Sequence, residues 1–290
     1  MARDVPFADL VDLHVHSQAS DGAYPPRQVV QQAREAGLKA VALTDHDTVV
    51  GVPEALAAGE EFGVEVIPAV EISTEFPDGA CHILGYFVDL SNPNLEAVLE
   101  EARAGRERRN QQIFARLEEL GMPLSAEDIE EQSGGGVTTR AHFAAAMLQK
   151  GYVASRDEAF QKYLGRGRPA FVHRKRVDPA EAIRVLRGAG GLAVLAHPRQ
   201  LNRTADETDE WIARLAREGL EGIETQSPDH SPALGRRYRA TAQRLNLVET
   251  GGTDWHGHEG SSFRLGVGTG ALRVRYAVVE RMRDRLASRG

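Results

Sequence analysis

Two histidines stand one residue apart in the stretch VDLHVHSQASDGAYPP, at positions 14 and 16. Val11 and Leu13 alternate with Asp12 and His14, the period-two pattern of a short strand. Residues i and i+2 of a strand project to the same face, so His14 and His16 point together. Two imidazoles held that close repel when both are protonated. A metal ion removes the repulsion by taking both as neutral ligands. A pair of surface histidines at a strand end would need no such partner, so the rest of the chain has to decide.

Further candidates fall at matching places. Asp45 and His46 follow the apolar strand AVALT, and Glu71 lies near the end of VIPAVEIS. His197 ends GLAVLAH, and Asp254 with His256 follows LNLVETGGT. Asp21 lies in the loop after His16, and His82 sits in the strand expected after an Asp78–Gly79 turn. Barrel enzymes build their sites at the C-terminal ends of strands, where the loops converge on one mouth. A lone histidine on a strand is usually an ordinary core or surface residue. Six of the ten histidines and three acids in one topological position point instead to a metal site.

Those residues need a scaffold. The N-terminal third alternates strand and helix: a helix from Pro25–Pro26 to Gly37, a strand in KAVALTDHD, a helix near 53–62, then VEVIPAVEIST and CHILGYFVD as strands. From Asn94 the pattern turns helical and charged, with shorter helices near 126–132, 141–150 and 156–163. Residues 93–176 therefore read as a helical insertion. Alternation resumes in PAEAIRVLRGAGGLAVLAHPRQ, LEGIETQSPDH and LNLVETGGTDWHG. Segments 1–92 and 177–290 are thus expected to form one α/β barrel of parallel strands.

Composition narrows the function classes. A net charge of −7 argues against a general nucleic-acid coat protein but not against a phosphorylated substrate. No apolar run approaches the ~20 residues of a membrane span, and MARDVPFADLVD carries no signal-peptide hydrophobic region. Cys81 is the only cysteine, expected to be a small buried residue in a cytoplasmic protein. Nothing in the sequence implies an obligate protein partner.

The motifs DLHVHSQASDG, LTDHDTV, AVEIS, CHILGY, LAHPR and GTDWHG occur in that order, and together they resemble the PHP (polymerase and histidinol phosphatase) superfamily. The resemblance covers most of the chain outside the insertion. It implies a distorted TIM-like (β/α)7 barrel and two to three divalent metal ions. One metal would use His14, His16, Glu71 and Asp254. A second would share Glu71 and add His82 and His197, and a third would use Asp21, His46 and His256. Every ligand position is filled.

Mixed imidazole and carboxylate ligands suit Mn²⁺, the preferred expectation, or Fe²⁺ or Zn²⁺. Neighbouring metals activate water and clamp phosphoryl oxygens, so phosphoester hydrolysis is the leading reading. Arg140 is expected to open a helix capped by Thr139 and to hold a phosphate there, with His142 and Arg199 as further substrate contacts. The RxHFA pattern after a Gly-rich loop resembles the insertion of nucleotide-directed PHP phosphoesterases. His230 is the candidate proton donor to the leaving oxygen. Asp45 and Asp47 are expected to orient His46. Arg103, Arg106, Arg108 and Arg109 read as a solvated helix face, and the basic run 166–176 as a contact for a longer polyanion.

The preferred substrate is a nucleoside 3′,5′-bisphosphate losing its 3′-phosphate. The alternative is 5′→3′ exoribonuclease action on short RNA. An amidohydrolase ranks low, because Lys39, Lys150, Lys162 and Lys175 are ill placed to bridge metals. A non-catalytic metal-binding module ranks low because the ligand set is full.

Overall fold

The computed structural model describes residues 9–77, 79–258 and 261–289. Seven strands form one sheet in sequential order: β1 (Val11–Val15), β2 (Ala40–Leu43), β3 (Glu65–Thr74), β4 (Cys81–Tyr86), β5 (Leu192–Leu195), β6 (Gly222–Gln226) and β7 (Val248–Gly251). The sheet curls until it nearly closes. The His16 N–H donates to the Trp255 carbonyl at 2.9 Å, just past β7, and Val15 bridges Trp255 in parallel. Gly252 lies so close to His14 that a Cβ there would overlap it.

The expected all-parallel barrel needs one correction. β4 runs antiparallel to both β3 and β5, while every other pairing is parallel. Parallel neighbours require a crossover of a dozen or more residues, and the link between Thr74 and Cys81 is far too short for one. Asp78, half of the turn expected in that link, lies outside the described residues, as does the N-terminal segment 1–8. The reversal puts His82, at the start of β4, opposite Ser73 near the end of β3. His82 thereby joins the same mouth as the other candidates.

Alternation along the strands separates core from site. Ile67 and Ala69 on β3, Leu84 and Tyr86 on β4, and Leu192 and Val194 on β5 belong to one buried apolar cluster. Glu71 and His82 continue that same parity toward the mouth, so the inner face passes from apolar to ligand-type residues.

Helices α1 (Pro26–Glu35) and α2 (Val52–Phe62) cover the first strands. After β4 the insertion contributes α3 (Pro93–Glu119), α4 (Ala126–Ser133), α5 (Arg140–Gln149) and α6 (Arg156–Ala159), the last running into a π-helical turn at Phe160–Leu164. They enclose a small core of their own around Ile113, Leu117, Phe143, Met147 and Leu164. Helices α7 (Pro179–Gly188), α8 (Ala205–Arg217), α9 (Pro232–Arg244) and α10 (Ala277–Ala287) alternate with and follow the remaining strands. Among the described residues no helix is long and apolar enough to cross a membrane.

Candidate metal centre

The nine side chains singled out in the sequence meet at the barrel mouth around Glu71. Its carboxylate lies 2.8 Å from His46 Nδ1, 2.8 Å from His82 Nδ1, 3.0 Å from His197 Nε2, 3.4 Å from His16 Nε2 and 3.5 Å from His14 Nε2. Asp254 Oδ1 approaches His16 Nε2 at 3.1 Å and His14 Nε2 at 3.4 Å. Asp21 faces His256 at 3.4 Å and His46 at 3.9 Å.

Among the described residues, four groups bring their ligand atoms within 4.8 Å of one another: His16–Asp21–His46–His256, His14–His197–Asp254, His14–His16–Glu71 and His46–Glu71–His82. The grouping differs in detail from the one the resemblance implied. His16 also joins the Asp21 group, His46 also reaches Glu71, and His197 sits with His14 and Asp254.

The donor set fits divalent cations. His14 Nε2, both ring nitrogens of His16 and His197 Nδ1 are buried without a hydrogen-bond partner among the described residues, a costly state for groups this polar. The His16 ring lies 4.2 Å from His256 and 4.7 Å from His46, centroid to centroid. Burial disfavours charge throughout, and the cluster shares its protons unevenly. Burial and the neighbouring His256 push His16 down to about 3. Burial opposes protonation of His256 too, yet Asp21 lifts it to about 10. Glu71, Asp21 and Asp254 are all held well below the carboxylate range, the pull of the imidazoles outweighing burial. Neutral imidazoles and ionised carboxylates on a cation would relieve the conflict.

Backbone strain concentrates here as well. His197 and Asp254 both have positive φ, at 22° and 54°, a geometry that costs of order 1–3 kcal/mol and clusters at functional sites.

The supports differ from those expected. The carboxylate of Asp45 serves the loop after β1. It accepts hydrogen bonds from the Ser17 N–H, Ser17 Oγ and Ser20 Oγ at 2.6–2.8 Å, shaping the loop that carries Asp21. Asp12 accepts from Thr253 and Gly266 and thereby ties β1 to the loop of Asp254. Glu224 on β6, missed in the sequence, is fully buried and contacts both His14 and His197. Its signal was a glutamate on the inward parity of the strand GIETQ.

Asp47 also has a different task. One oxygen accepts from the Ser73 N–H at 2.8 Å, while the other faces Arg106 at 2.7 Å and Arg174 at 3.0 Å. Arg106 and Arg109 are buried, which corrects the solvated-face reading of α3. With Arg140, Arg174 and Arg176 they line a cavity of about 180 Å³ that shares Asp21, His46 and His82 with the candidate metal cluster. Among the described residues Arg109 Nε and Nη2 have no hydrogen-bond partner. Burial and the surrounding arginines depress its pKa well below the usual value. Because Asp47 is the buried anion for two of these cations, Asp47→Ala should cost about 3–5 kcal/mol of stability, read by urea denaturation.

The remaining candidates scatter around this centre. Arg140 opens α5, capped by Thr139 Oγ1 as expected. Its Nη1 donates to the Leu164 carbonyl at 3.1 Å, and its guanidinium lies near the rings of Phe160 and Phe171. His142 turns back to cap its own helix, accepting from the Thr139 N–H at 3.1 Å. Arg199 is exposed on a short 3₁₀ turn and is absent from the lining of the arginine cavity. His230 packs on Tyr238 with its Nε2 buried and unpartnered. The run 166–176 divides: Arg174 and Arg176 turn into the cavity, while Arg166, Arg168 and Lys175 stay exposed.

A nearly closed seven-stranded mixed barrel with this cluster at its mouth defines a metal-dependent phosphoesterase. The PHP domain model matches residues 12–161, and the chain belongs to that family. It is 37% identical over 249 residues to a 5′-3′ exoribonuclease of Haemophilus influenzae, covering 84% of this chain and 89% of that protein. It is 33% identical over 247 residues to a 3′,5′-nucleoside bisphosphate phosphatase of Chromobacterium violaceum, covering 85% and 87%. A solved structure described as a metal-dependent phosphoesterase of Bifidobacterium adolescentis superposes with a TM-score of 0.86 at 30% identity, over 97% of this chain and 98% of that one.

Proposed function

We propose that the enzyme hydrolyses the 3′-phosphate of nucleoside 3′,5′-bisphosphates, giving a 5′-mononucleotide and phosphate. One observation carries this reading: an arginine-lined cavity directly borders the metal-binding cluster and shares three residues with it. A substrate with two phosphates can rest one against the guanidiniums while the other meets the metals. The 5′-phosphate is the anchor, held by Arg109 and Arg140, and survives the reaction.

His14, His16, Asp21, His46, Glu71, His82, His197, Asp254 and His256 would hold two to three ions, with Mn²⁺ preferred. Such ions supply an activated water and neutralise charge on the transferred phosphoryl group. Arg109 and Arg140 orient the nucleotide through charge-assisted hydrogen bonds. His230, with a buried unpartnered Nε2, is assigned the proton delivered to the departing O3′. A cytoplasmic setting is part of the proposal and suits the single, buried cysteine.

Short RNA is the second reading. An exonuclease working from a 5′-phosphorylated end breaks the same O3′–P bond, with a further nucleotide attached to the phosphorus in place of a free oxygen. Exposed Arg166, Arg168 and Lys175 next to Arg174 and Arg176 favour it. So does the name of the Haemophilus influenzae relative.

Mn²⁺-loaded enzyme offered a 3′,5′-bisphosphate, a 5′-monophosphate and 5′-phosphorylated RNA side by side tests both. The bisphosphate should yield one phosphate and a 5′-mononucleotide, and the monophosphate should remain intact. Release of the 5′-phosphate first would overturn the assignment. Faster turnover of RNA than of bisphosphate would move the second reading ahead.

A further inference from the structure

Glu224 lies on β6, fully buried, between two histidines on two other elements of the barrel mouth. Oε1 lies 3.2 Å from His14 Nδ1, and Oε2 accepts from the His197 N–H at 2.7 Å. A neutral imidazole carries one ring proton. A carboxylate oxygen facing Nδ1 accepts a hydrogen bond from that proton and leaves Nε2 as the lone pair. His14 Nε2 is the atom that faces Glu71 and Asp254.

The second oxygen acts on backbone rather than on a ring. His197 has φ 22°, and its N–H is fixed by Glu224 while its Nε2 meets Glu71 Oε1 at 3.0 Å. One carboxylate thus sets the tautomer of one histidine and the main-chain position of another. The two are neighbours in the His14–His197–Asp254 group.

We propose that Glu224 is a positioning residue that couples two metal ligands, His14 and His197, which share one group with Asp254, and that it does not act on the Asp21–His46–His256 group. Among the described residues its hydrogen bonds go to His14 and His197 and none to that last group. The inference rests on the reading that the nine clustered residues hold divalent ions. Partners of this kind orient metal ligands, and losing one weakens metal affinity by about 10–100-fold.

The test is calorimetric titration of chelator-stripped protein with Mn²⁺, with metal content measured after dialysis, for wild type and Glu224→Gln. The amide preserves size but cannot accept from both partners. Binding at the His14–His197–Asp254 group should weaken by about 10–100-fold, while the Asp21–His46–His256 group keeps its affinity. The rise in Tm caused by Mn²⁺ should shrink more than the Tm of the metal-free protein, a split that a purely structural role would not produce. Wild-type affinity at every subsite of Glu224→Gln would overturn the proposal.

A measurement on the wild type covers the case in which the variant does not fold. In Zn²⁺-loaded protein with ¹⁵N-labelled histidine, NMR should find the His14 proton on Nδ1, and a proton on Nε2 would refute the inference. Failure of the wild type to take up any metal is a different outcome. It would remove the metal-site reading itself, and this inference with it.

Discussion

Glu71→Gln should lower kcat by roughly a thousandfold or more while leaving KM for the bisphosphate close to that of wild type. Glu71 is the carboxylate that five imidazoles surround, so neutralising it weakens every subsite that shares it. A metal in such a site contributes several kcal/mol of transition-state charge stabilisation, and about 1.4 kcal/mol is tenfold in rate. In the proposed binding mode the retained phosphate rests on arginines that this change does not touch, so ground-state binding should survive. Steady-state kinetics in saturating Mn²⁺ reads the split. Chelator-stripped wild type should be as inactive as the variant and recover on adding Mn²⁺, and the variant should not. Full activity in demonstrably metal-free wild type would defeat the central claim.

Much of this centre was legible in the sequence because its logic is local. His14 and His16 share a strand face by parity, and most of the other candidates follow an apolar strand directly. Neither inference needs to know which strands pair. The reversal of β4 was written in the short link from Thr74 to Cys81, though only the completed sheet shows what it accomplishes: it turns His82 to the common mouth.

The arginines of α3 show how a signal present in the sequence was masked. Charge alternation in ARAGRERRN looks like a solvated surface. Yet Leu95, Leu99, Ala102, Arg106, Arg109, Ile113 and Leu117 fall at steps of three and four, and all are buried. That is one helical stripe, and two arginines sit on its apolar side. The charge of Arg106 is tolerable there because Asp47, distant in sequence, turns toward it. Partners separated by 59 residues leave no local trace.

Arg109 then carries the sharpest conflict between stability and function. Its Nε and Nη2 are buried without partners, and four other guanidiniums line the same cavity. A buried charge without a counter-ion is strongly destabilising, and the retained phosphate of the proposed substrate would supply the missing anion. Arg109→Met keeps the apolar stem and removes the charge. The metal-loaded, substrate-free variant should be more stable than wild type by about 1–4 kcal/mol, the range found when buried ionic groups give way to apolar ones of similar size. Its kcat/KM for the bisphosphate should fall roughly 10- to 150-fold, the equivalent of a charge-assisted hydrogen bond of about 1.5–3 kcal/mol, chiefly through KM. Arg140→Ala should lose activity on the same scale without the gain in stability, because Arg140 is already anchored to the Leu164 carbonyl. Adding the product 5′-mononucleotide should raise the Tm of wild type and leave Arg109→Met nearly unchanged, since only the wild type gains by pairing the charge. Thermal melts with and without nucleotide, beside kinetics on both variants, separate the cases. If Arg109→Met is less stable than wild type and retains its KM, Arg109 is a structural cation and the cavity does not read the substrate's phosphate.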